Sequence, residues 1–86
     1  DKGAVSALKT GCSLLPAGVS GVDGSFQRGD TILIQTMEGE EIGRGLTAYS
    51  SDDVRLIMGH NTDDILTLLG YRGRDEIIHR DDLAMN

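Results

Sequence analysis

With 86 residues the chain has room for one core and no second, and a domain of this size buries only ~60% of its unfolded surface. Eight Lys plus Arg against fourteen Asp plus Glu give a net charge of −6, with four basic against six acidic residues in 1–50 and four against eight in 51–86. That sign opposes non-specific nucleic-acid binding, and Phe26, Tyr49 and Tyr71 are too few aromatics for the stacking platform of a single-strand binder.

Cys12, the only cysteine, excludes an internal disulfide or a cysteine-based zinc site and fits a reducing, cytoplasmic setting. Neither a signal peptide nor an apolar membrane span is visible in the sequence, and a start at Asp1 leads us to expect a piece of a longer chain.

Ala4, Val5, Ala7 and Leu8 recur at helical spacing, with Lys9 in the last turn and Gly11 as the stop, so residues 3–10 are expected to form a short helix. Leu14-Leu15, with Pro16 removing a ladder donor, reads as a strand edge and turn, followed by a strand over Val19–Val22. Gly24–Asp30 is a loop anchored by Phe26. Thr31–Gln35 and Glu41–Tyr49 then read as a hairpin turning at Glu38-Gly39, with Ile42, Leu46 and Ala48 on one side. Ile32, Leu33 and Ile34 are expected to be buried on both faces, which asks for a curled or closed sheet with helices over its open end.

The period changes after Tyr49. Ser50 or Ser51 is expected to cap a helix with Asp52 and Asp53 in its first turn and Val54, Ile57 and Met58 at helical spacing, ended by Gly59. A second starts at Asn61 or Thr62, buries Ile65, Leu68 and Leu69, and stops at Gly70. A polar loop leads to a final strand over Glu76–Arg80, with Ile77 and Ile78 facing opposite ways, and a polar C-terminal turn.

Several motifs invite a reaction and none supports one. His79–Asn86 spells the H-R-D-x-x-x-x-N of a protein-kinase catalytic loop, yet the phosphate loop, strand lysine and metal-binding aspartate of that mechanism are missing. Arg28-Gly29-Asp30 reads as a turn before a strand. Glycines 18, 21 and 24 never spell a phosphate-binding loop. The pairs Asp52-Asp53 and Asp63-Asp64 suit helix N-termini, Asp81-Asp82 suits a turn, and His60 and His79 lack zinc-site spacing. No catalytic, cofactor-binding or metal residue is therefore assigned.

Taken together, the blocks KGAVSALKTGCSLLPAGVSGVDGSFQRGD, GEEIGRGLTAYSSDDVRLIMGH and ILTLLGYRGRDEIIHRDDL resemble, over Lys2–Leu83, the C-terminal PUA domain of glutamate 5-kinases. The resemblance implies an α+β fold, mostly β with short helices: a PUA-like pseudobarrel of mixed strands closed by those helices, formed by residues 1–86 as a single domain. It implies a parent enzyme that phosphorylates the side-chain carboxylate of glutamate with ATP and magnesium in proline biosynthesis, the chemistry residing in a preceding amino-acid-kinase domain, with this segment as an accessory and the parent a homo-oligomer. PUA domains elsewhere bind structured RNA through the first helix, the loop after it and the last strand. The matching positions are Lys9, Gly11 to Gly18, His79 and Arg80. Acidic charge disfavours that use here.

Overall fold

The computed structural model describes residues 2–86, in which three short helices pack against a three-stranded antiparallel sheet to give an α+β fold. The helices are α1 (Lys2–Lys9), α2 (Ser51–Ile57) and α3 (Ile65–Leu69); the strands are β1 (Thr31–Gln35), β2 (Glu41–Leu46) and β3 (Leu83–Met85), in the order β1-β2-β3. The sheet is antiparallel throughout rather than mixed, and it is open at both edges.

Capping residues fix the start of α2 and the end of α3. Ser50 accepts a hydrogen bond from the Asp53 N–H at 3.3 Å and Asp52 and Asp53 lie against the positive end of α2. Asp63 and Asp64 fall in a 3-10 turn, Thr62–Asp64, that leads into α3. Gly70, at φ +80°, supplies the left-handed residue that ends α3.

The core is built from Leu8, Tyr49, Val54, Ile57, Ile65, Ile77 and Ile78, each no more than 2% exposed. Removal of such side chains from water contributes ~1.5–3 kcal/mol apiece. Ile77 and Ile78 form the axis of that core. The Ile77 N–H donates to the Leu14 carbonyl at 2.8 Å, the Leu14 N–H donates to the Ile78 carbonyl at 2.9 Å, and the Ala48 N–H donates to the Ile77 carbonyl at 2.7 Å. The segment therefore lies between Leu14 and Ala48, and both of its faces are covered.

Four expectations give way to the packing. Residues 19–22 form no strand: Gly18, Gly21 and Gly24 leave too little side chain to hold a ladder, and Val19 and Val22 pack on the core from an extended loop. The strand expected over Glu76–Arg80 is reduced to one bridge, Leu14 to Ile78; the chain turns at Arg80–Asp82 and the true strand is β3, where only a polar turn was expected.

The return strand ends at Leu46, not Tyr49, because the Thr47 hydroxyl donates to the Tyr49 carbonyl at 2.7 Å and receives the Tyr49 N–H at 3.2 Å, a local turn that swings Tyr49 inward. Burial is also one-sided. Leu33 is 55% exposed and Leu46 45%, whereas Ile34 is buried. Register slips between Ile34, opposite Gly43, and Gln35, opposite Glu41, so Ile42 is the extra residue of a bulge and turns inward while Arg44 and Leu46 face out.

Glycines on β2 let the C-terminal segment lie against it. A Cβ at Gly45 would stand 2.6 Å from Ile78 Cγ2 and 2.7 Å from the Asp82 carbonyl oxygen, closer than carbon atoms approach. No helix among the described residues is long and apolar enough to cross a membrane.

Candidate partner-contact surface

The end of α1 is wound tight by its own sequence. The Gly11 N–H donates to the Leu8 carbonyl and the Cys12 N–H to the Ala7 carbonyl, both at 3.1 Å, with Gly11 at φ +92° reversing the chain. Ser13 and Leu14 then run beside the C-terminal segment. The Arg80 N–H donates to Ser13 Oγ at 2.8 Å across 67 residues of sequence, next to the Leu14–Ile78 bridge.

Of the residues singled out by sequence, Gly11 and Arg80 are thus brought to neighbouring backbone, joined through Ser13. Lys9 and Arg80 are both exposed, and among the described residues Arg80 has only a loose ion pair, Nε to Asp81 Oδ1 at 4.0 Å, of the kind that contributes little. His79 caps the Arg80–Asp82 turn, its Nδ1 accepting the Asp81 N–H at 3.1 Å. An unprotonated Nδ1 is required for that bond; a proton there would instead face the Asp81 carboxylate, whose Oδ2 lies 3.5 Å away. Gly18 stands apart from the other four. It is half-buried under α1, and a Cβ there would meet Ala4 Cβ at 2.6 Å.

Two depressions flank this region. One, of about 240 Å³, runs between α1 and the 3-10 turn Pro16–Gly18 and is lined mainly by small and apolar residues, with exposed Leu15 at its side. The other, of about 510 Å³, is open and polar, and includes Asp75, Glu76, Asp81 and Asp82 beside Arg74 and His79. Arg74 approaches Asp82 at 3.8 Å, so part of this charge is already paired.

These residues do not fit a magnesium nucleotide. Among the described residues no three His, Cys, Asp or Glu side chains are gathered so as to hold a metal ion, and glycines 18, 21 and 24 lead into a loop rather than the N-terminus of a helix. No reaction step is derived through ATP or magnesium within this segment.

Sequence reasoning missed the latch behind the polar depression. The Tyr49 hydroxyl donates to the Arg74 carbonyl, the Tyr71 hydroxyl donates to Asp53 Oδ2 at 2.5 Å, and the two rings lie 6.5 Å apart. Asp53, as acceptor of that bond, holds the Tyr71 phenol up at about 12; partial burial and the carboxylate charge push the same way. Burial raises Tyr49 too, with Arg72 opposing. No local sequence signal pairs Tyr71 with Asp53, because the contact depends on how α2 meets the loop after α3.

The chain is 56% identical over 85 residues to the glutamate 5-kinase of Paramagnetospirillum magneticum (strain ATCC 700264 / AMB-1), a match covering 99% of this chain and 23% of that protein. It is 55% identical over 85 residues to the glutamate 5-kinase of Rhodopseudomonas palustris (strain BisB18), with the same coverage. With the glutamate 5-kinase of Rhodospirillum rubrum it shares 52% identity over 86 residues, which is 100% of this chain and 23% of the relative. The chain spans less than a quarter of the length of these relatives and matches their C-terminal region. The PUA domain family matches residues 1–69, and with the fold described above this chain belongs to that family.

Proposed function

We propose that this chain is the accessory PUA domain of a glutamate 5-kinase and acts on regulation or assembly through protein contacts, without a reactive centre of its own. The preceding amino-acid-kinase domain of the same polypeptide would carry the ATP- and magnesium-dependent phosphorylation of the glutamate side chain. The single observation that carries this reading is the identity of 52–56% along essentially the whole chain to proteins named glutamate 5-kinase, of which it spans under a quarter. The α1-loop surface with Lys9, Gly11, His79 and Arg80 is the contact region in this reading.

The test is to assay the full-length enzyme with and without this segment. Retained turnover with altered proline inhibition or oligomer size is expected; identical kinetics, inhibition and size would remove the accessory role.

One observation favours a second reading, an RNA-binding module. The hydrogen bonds from Leu14 to Ile78 and from Arg80 to Ser13 bring the loop after α1 beside the C-terminal segment, with Lys9 and Arg80 both exposed. The net charge of −6 works against it, since few counterions would be released. Salt titration against structured RNA separates the readings: micromolar binding at low salt, weakened by Lys9→Ala or Arg80→Ala, would favour RNA.

A further inference from the structure

The open edge of the sheet is unusual in its lack of protection. β3, at one edge, is only three residues long. β1, at the other, has five residues, Thr-Ile-Leu-Ile-Gln, with no charge, proline or glycine among them. Soluble proteins ordinarily blunt such an edge with one of those devices.

The direction of its free backbone groups follows from the ladder. The Thr47 N–H donates to the Asp30 carbonyl and the Thr36 N–H donates to the Glu40 carbonyl, so residues 30 and 36 address the β2 side. Strand backbone alternates, so Ile32 and Ile34 also address β2, and Thr31, Leu33 and Gln35 direct N–H and C=O outward. Among the described residues no hydrogen bond from a loop or side chain reaches these outward groups.

We propose that β1 pairs edge to edge with β1 of a second copy of this chain, antiparallel about a twofold axis at Leu33, to form one continuous sheet through two copies. The pattern is self-complementary. Residues equidistant from Leu33 meet: Thr31 faces Gln35, Ile32 faces Ile34, and the half-exposed Leu33 meets its own copy. Outward residues meet outward residues in that register, as the hydrogen bonds of an antiparallel pair require. Charge agrees at the ends. Arg28 and Glu38 lie five residues either side of Leu33, so each approaches the other's copy, and neither has an ion pair among the described residues. The proposal goes beyond the accessory-domain reading, which survives if it fails.

The experiment uses the chain with Cys12→Ser and one introduced cysteine, each variant first checked for an unchanged thermal midpoint. Leu33→Cys is expected to give a disulfide-linked dimer under mild oxidation, because directly opposed residues of a hydrogen-bonded pair place their Cα atoms about 5.5 Å apart, within disulfide reach. Thr31→Cys should not, because its own copy would be several residues away. Charge reversal by Arg28→Glu or Glu38→Arg alone should weaken association roughly threefold or more in sedimentation, and both together should restore it. Absence of the Leu33→Cys dimer, equal yield from Thr31→Cys, or a charge-reversed double variant no better than the singles would each overturn the pairing.

Discussion

At Gly45 a hydrogen stands where any other residue would carry carbon, and the C-terminal segment depends on it. A methyl group there meets Ile78 Cγ2 and the Asp82 carbonyl, one a buried core atom and the other backbone, and neither can swing away as a flexible side-chain end could. Gly45→Ala is therefore expected to cost ~1–3 kcal/mol, seen as a lower urea midpoint at unchanged slope. Gly21→Ala, which meets nothing within 4 Å at an ordinary φ, is the control and should be near neutral or slightly stabilising.

Tyr71 gives the pH dependence. Its folded phenol is raised to about 12 from the ordinary 10.0 of a phenol, so the protonated form is the one the fold favours. The stabilisation is complete below the unfolded value and is lost as pH rises through the folded one. Unfolding free energy should fall across that alkaline window, and Asp53→Asn should bring the Tyr71 midpoint back toward an ordinary phenol. Ring-carbon NMR, which resolves Tyr71 from Tyr49, reads both.

Elements with local instructions were legible in the sequence, and those without were not. Ser50 followed by two aspartates, and Gly70 after Leu69, state where α2 begins and α3 ends, and both are used that way. The hairpin β1–β2 was legible from its β-branched run and its turn. Its exposure was not: the bulge that turns Ile42 inward arises from register between strands, which no single strand encodes.

The C-terminal segment failed for a related reason. Ile77-Ile78 reads as a strand, but its partners, Leu14 and Ala48, are more than 60 and nearly 30 residues away in sequence, and each offers only one or two bonds before the chain turns. Of the proposed contact surface, Lys9, the stretch from Gly11 to Gly18 that contains Ser13, His79 and Arg80 came from the family resemblance, whereas the bond between Ser13 and Arg80 had no signal in the sequence. Ser13→Ala leaves the Arg80 N–H without its acceptor. Loss of that bond should cost ~1 kcal/mol and speed amide exchange at Arg80 about tenfold or less, with little change at Ile65 in the core.

At the scale of the molecule, the core is small, the charge is acidic and, among the described residues, no three His, Cys, Asp or Glu side chains gather to hold a metal ion; the accessory role proposed above asks for nothing more. Its cavities agree with that reading: one is shallow and lined by small residues near α1, the other open and polar.

The most direct measurement divides the full-length protein into this segment and everything before it, and follows ATP consumption with glutamate in each. The preceding part is expected to turn over, with changed proline sensitivity or oligomer size, and this segment alone is expected to consume nothing. Glutamate-dependent ATP consumption by the isolated 86 residues would contradict the reading.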